Sequence, residues 1–221
     1  IWDAYFPIGI LKFYAGNMSS FVQFLAGFVG IDADKGFGME QMTITAEKGK
    51  FAWIEASQIV VFVYLWMDQD FEKALTLSQR LVDRIPKSIY NQHLYTESLI
   101  RLNRLDEAEA NLRLTNEMAE RLPSLSKKGW LPTLKYHDAL LSFYKGDTDR
   151  AMEMVTQSIN EFNTELDTPL GFGYLLRGNI HDLSGNRSLA IEDYHSAVRL
   201  DNYSAAMTEA REYLRHPFES R

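Results

Sequence analysis

Between its proline and glycine breaks, the chain spaces apolar residues at i, i+3, i+4 and i+7, the period of a helix with one buried side. "FEKALTLSQRLVDRI" sets Phe71, Leu75, Leu77, Leu81, Val82 and Ile85 largely on one side. "RAMEMVTQSINEF" does the same with Met152, Val155, Ile159 and Phe162. Few segments alternate as a half-buried strand does, so the pattern predicts an all-α chain. The helices it predicts cover 3–15, 18–29, 33–48, 51–67, 70–84, 88–102, 105–121, 130–145, 148–163, 169–184, 187–199 and 203–215. Pro86, Pro123, Pro132, Pro169 and Pro217 are read as edge residues, because a proline ring removes a helix donor. Gly30, Gly49, Gly129, Gly146 and Gly185 mark further breaks. Short connections make neighbouring helices antiparallel.

Four stretches align with one another: "QDFEKALTLSQRLVDRIP", "NRLDEAEANLRLTNEMAE", "GDTDRAMEMVTQSINEFN" and "GNRSLAIEDYHSAVRLDN". Each begins at a turn, passes a polar first helical turn and reaches an alanine. Ala74, Ala108, Ala151 and Ala190 are separated by 34, 43 and 39 residues. A tetratricopeptide unit is about 34 residues long. The inserts "LPSLSKKGW" and "ELDTP" account for the longer intervals.

On these residues the chain resembles the tetratricopeptide repeat superfamily. The last unit carries most of the pattern, with Tyr174, Gly178, His181, Ala190, Tyr194 and Ala197, and with Asn202 where the family closes on proline. The first unit keeps Ala74 and Pro86 but has Phe62 in the glycine place; the middle units keep Ala108, Ala139 and Ala151. The resemblance covers residues 55–202 and implies a right-handed superhelical stack of about twelve helices, in antiparallel pairs. Small side chains then set the distance between paired helices, and units stack because one pair cannot bury its own apolar side. Residues 1–54 are read as apolar helices plus a divergent repeat with Gly36 in the alanine place, and 203–221 as a capping helix whose Glu209, Arg211, Glu212 and Arg215 face solvent. "LAGFVGIDADKGFGMEQ" followed by "EKGKFAWIEA" is also similar to tetratricopeptide-39-like and uncharacterised bacterial repeat proteins.

The first helix of each pair lines the concave side in this family. Carried over, that places Trp66, Tyr90, His93, Glu97, Arg101, Tyr136, Leu140, Phe143, Tyr144, Phe172, Asn179 and Asp182 on a partner-binding groove. Some members grip a terminal carboxylate with Lys and Asn at these places; Tyr136 and Leu140, or His93 and Glu97, stand there instead, which gives no support for such a clamp. The expected role is a non-catalytic scaffold for a protein or peptide. The alternative is a pocket for a small apolar or lipid-like ligand, closed by the N-terminal helices.

Composition narrows these readings. With 23 Lys and Arg against 30 Asp and Glu the net charge is −7, which repels phosphate backbones and argues against nucleic acid. The chain has no cysteine, so thiol chemistry and disulfides are excluded. His93, His137, His181, His195 and His216 show no metal-ligand spacing, although His181 and His195 stand within reach across one hairpin; no cofactor or metal is expected. "YHDALL" and "IHDLSG" point adjacent residues about 100° apart, which does not make a base and its orienting partner. "GFGYLLRGN" follows no strand, and Gly171 and Gly173 are read as loosening a helix start. "FPIGILKFYAGNMSSFVQFLAGFVGI" is broken by Lys12, Asn17, Ser19, Ser20 and Gln23 and reads as two short buried helices rather than a membrane span. The chain opens on Ile1, as a processed or trimmed product would, so a targeting segment would fall outside it and the compartment stays open between cytoplasm and bacterial periplasm. Self-association through the end helices stays open too.

Overall fold

A computed structural model describes residues 1–17 and 33–219. Every regular element in them is helical. A short 3-10 turn, Trp2–Ala4, leads into α1 (Tyr5–Asn17), followed by α2 (Lys35–Lys48), α3 (Trp53–Trp66), α4 (Phe71–Arg84), α5 (Ile89–Arg101) and α6 (Leu105–Glu120). Then come α7 (Ser124–Tyr144), α8 (Thr148–Glu161), α9 (Thr168–Leu183), α10 (Arg187–Arg199) and α11 (Ala205–Arg215). The helix predicted at 18–29 lies outside the described residues. No helix of the described residues is long and apolar enough to cross a membrane.

Each helix packs on the next, giving an all-α, solenoid-like stack. A second set of contacts runs α3–α5–α7–α9–α11, so alternate helices form a continuous inner row with α4, α6, α8 and α10 behind it. The inner row curls back on itself. Gln69, after α3, donates from its side-chain amide to Glu209 of α11, 140 residues along the chain.

The repeat register is visible in the turns. Gln69, Asn103, Gly146 and Gly185 hold φ of 55°, 57°, 81° and 74°, the left-handed region where a helix reverses into its partner. Behind three of them an amide reaches five residues back: Arg104 to Leu99, Asp147 to Ser142 and Asn186 to His181, all between 2.8 and 2.9 Å. The next helix then starts at once, with the Asp70 and Asp147 carboxylates accepting from the N–H groups of Lys73 and Arg150. Four residues into each outer helix come Ala74, Ala108, Ala151 and Ala190, all fully buried. They share the intervals of their turns because both belong to one repeated hairpin.

The same rule corrects the N-terminal register. Asp34 caps α2, its carboxylate accepting from Phe37 N–H at 2.9 Å, so the fourth residue on is Gly38 rather than Gly36. Gly36 is exposed. Gly38 is buried against α1, where a Cβ would come within 2.5 Å of Phe13 N and 2.6 Å of Gly9 O. Both obstacles are backbone and cannot rotate aside. Gly38→Ala should therefore lower stability by about 1–3 kcal/mol in a denaturant titration, whereas Gly36→Ala should not lower it.

Pro132 was expected at an edge and "LPSLSKKGW" in an insert, with Gly129 a break. Instead α7 runs 21 residues from Ser124 through both. The carbonyl that Pro132 cannot bond belongs to Lys128, and the Asn163 side-chain amide donates to it at 3.1 Å. Ser158 Oγ donates to the Pro132 carbonyl at 2.7 Å, tying α8 to the same place. Gly171 and Gly173 likewise sit inside α9, buried, where an added Cβ would crowd Leu200 and Ile159 at 3.3 Å. They allow close packing on two sides rather than loosening a helix start. Gly178 meets the Tyr194 ring, 2.5 Å from its would-be Cβ.

At the N-terminal end, the Asp3 carboxylate accepts from the backbone of Lys50, Phe51 and Ala52, closing the turn between α2 and α3. The Ala52 and Phe51 amides hold that carboxyl below its usual range.

Candidate functional site

Three inner helices meet at a buried polar core. Ser88 caps α5, accepting from Asn91 N–H, and α5 then turns His93, Glu97 and Arg101 toward α7 at a spacing of four. Trp66 of α3, His93 of α5 and His137 of α7 stack in one column, with ring centres 5.3 and 4.8 Å apart and planes within 22°. His93 Nδ1 and His137 Nε2 lie 3.2 Å apart. Below the column, Glu97 Oε1 accepts from Arg101 Nε at 2.9 Å and from the Tyr136 hydroxyl at 3.3 Å, while Glu97 Oε2 stands 3.2 Å from His137 Nε2. Arg101 Nη2 donates to Tyr136 Oη at 2.9 Å.

Glu97 is wholly buried, yet it stays ionised. Burial opposes its charge, and Arg101 and His137 outweigh that, holding the carboxyl at about 2. For Arg101, burial is likewise outweighed, by Tyr136 and Glu97, and the guanidinium is held more firmly charged than usual. Burial, with the neighbouring His137, pushes His93 down to about 3, so it is neutral at pH 7. Burial also drives the Tyr136 hydroxyl well above its ordinary range, leaving it a donor.

The sequence places Trp66, His93, Glu97 and Tyr136 on an open groove. The structure puts them in the interior, 2%, 4%, 0% and 1% exposed. The inner helices pack on one another as well as on the outer row, which leaves little of them for solvent. Tyr90 is half-buried at the margin, its ring edge-on to His93 and Trp130.

The remaining carried-over positions converge further along. Arg101, Tyr136, Leu140, Phe143, Tyr144, Phe172 and Asn179 line one pocket of about 170 Å³, together with Leu175, Leu176, Glu209 and Phe218. Arg101 is its polar floor, with its guanidinium 5.2 Å from the Phe172 ring centre. Tyr144 is the accessible ring at the rim. The pocket opens beside a wider hollow of about 860 Å³, bordered by Gln69, Phe71, Glu209, Tyr213 and residues 216–219.

Asp182 lies behind the pocket. Its carboxylate takes the Arg187 guanidinium at 2.9 Å, the Tyr194 hydroxyl at 2.8 Å and Phe218 N–H at 2.8 Å. His181 faces Asp193 at 3.9 Å rather than His195, and Asp193 is gripped by Arg177 through two bonds of 2.9 and 2.7 Å.

Two contributors escaped the sequence reading. Glu209 was assigned to a solvating cap and instead lines the pocket. Phe218 follows the last helix and was not singled out. An aromatic residue directly after a helix-ending proline was the available signal. No protein-family model matches the chain, and no curated protein or solved structure matches it.

Proposed function

We propose that the chain is a non-catalytic, tetratricopeptide-type interaction module that takes a peptide or protein segment on its inner face. The observation that carries the reading is the pocket between α5, α7, α9 and α11. It gathers aromatic rings around one guanidinium, with Tyr144 accessible at the rim. Aromatic rings supply contact area at little entropic cost, and a partly buried guanidinium orients a carboxylate or carbonyl. The repeated turn, cap and alanine support the family resemblance, since the intervals between hairpins are structural as well as textual.

The alternative, an apolar ligand sealed in by the N-terminal helices, is less well supported. Among the described residues, none of 1–17 and 33–54 lines the pocket or the hollow beside it.

Random-peptide display on the purified chain tests the proposal. Tyr144→Ala should weaken the selected peptides at least tenfold while the variant stays folded at the assay temperature, because Tyr144 keeps about a third of its surface accessible. Glu117→Ala, on the exposed side of α6, should bind as wild type does. Equal affinity in the Tyr144 and Glu117 variants would contradict the inner-face site.

A further inference from the structure

We propose that the inner face is selective for an aromatic side chain on an extended peptide, and that residues 216–219 of the chain lie there in cis as a built-in competitor, with Phe218 forming one wall of the pocket. The inference rests on the binding reading above and adds what the site selects and how it is regulated.

The chain leaves α11 at Arg215 and becomes extended at His216, with φ −131° and ψ 125°. Pro217 enforces this, since the residue before a proline avoids the helical region. Phe218 then turns inward. Its N–H reaches Asp182 Oδ2 at 2.8 Å, and its ring lies edge-on to Tyr213 at 5.3 Å and 6.3 Å from Phe143. One ring and one main-chain donor are thus the segment's hold on the inner face.

That hold is built to release. His216, Pro217 and Glu219 are exposed, and Phe218 itself is only half-buried. Asp182 loses one bond when the segment leaves but keeps Arg187 and Tyr194, so no buried carboxylate is orphaned. Nothing in the contact is peculiar to this segment: any extended peptide bearing an aromatic residue with its own N–H can repeat it. The pocket that Phe218 helps to line still holds about 170 Å³ of open space, enough for a larger ring. A segment tethered a few residues away acts at an effective concentration of about millimolar, enough to mask weak partners and yield to strong ones.

The test uses the full chain and a fluorescent peptide of residues 214–221, LRHPFESR. Wild type should bind it at least tenfold more weakly than Phe218→Ala, in which the place of the Phe218 ring is free. Pro217→Gly keeps the ring, loosens the segment and should fall between the two. The peptide with alanine in place of its phenylalanine should bind none of them. Equal binding by wild type and Phe218→Ala, or equal binding of both peptides, would overturn the inference. Peptides selected by display that bind wild type and Phe218→Ala alike would overturn it as well, while leaving the interaction-module reading in place. No binding of LRHPFESR to Phe218→Ala at millimolar peptide would also overturn it.

Discussion

Glu97→Ala should destabilise the fold by about 3–5 kcal/mol, read as a lowered midpoint in urea. Glu97 is fully buried and joins three inner-row residues, Arg101, Tyr136 and His137. Removing the carboxylate leaves Arg101 largely buried with a neutral hydroxyl and ring faces as its company. An uncompensated buried charge costs more than the ion pair contributed, so the loss exceeds that of any surface pair in the molecule. The double variant Glu97→Ala, Arg101→Met should recover part of the loss, because it removes the stranded charge too. A cost below about 1 kcal/mol would mean that water entering through the pocket compensates the guanidinium, and would remove the stranded charge as the cause.

Acid should begin to destabilise the protein well above the range where ordinary carboxylates titrate. His93 takes a proton near 6.5 in the unfolded chain but near 3 in the fold. Between those values the unfolded state binds the extra proton, so stability is full above pH 6.5 and falls as pH drops, by about 1.4 kcal/mol per unit. Glu97 adds a second slope. Its pKa falls from 4.5 unfolded to about 2 folded, so its contribution is present above 4.5 and lost toward 2. Urea midpoints measured from pH 7.5 to 4.5 should decline below 6.5. In His93→Phe, which keeps a ring in the stack with Trp66 and His137, the decline between 6.5 and 4.5 should flatten. An unchanged slope in that variant would assign the acid response to other groups.

The parts of the molecule that repeat locally were legible in the chain. Reversals and buried alanines fall within a few residues of one another in all four copies, and two of the four add an aspartate cap. The parts that depend on distant partners were not. Pro132 continues a helix because Asn163, 31 residues later, takes the Lys128 carbonyl. Gly38 rather than Gly36 faces α1 because Asp34 sets the start of α2. Periodicity identifies the inner helices, but it cannot say which arc of each meets its neighbour. Trp66, His93 and Glu97 therefore read as surface, whereas the curl of the stack buries them. The same curl brings Glu209 and Phe218 to Arg101, more than a hundred residues away in sequence.

A partner segment lying on the inner face should change backbone exchange there and not on the outer row. Amide hydrogen exchange of the full chain, with and without a display-selected peptide, tests this most directly. The account predicts slower exchange around Phe143 and Tyr144 of α7 and along α9, faster exchange at residues 218–219 as the bound segment is expelled, and no change in α4, α6 and α8. Protection confined to those outer helices, or none on the inner row, would contradict it.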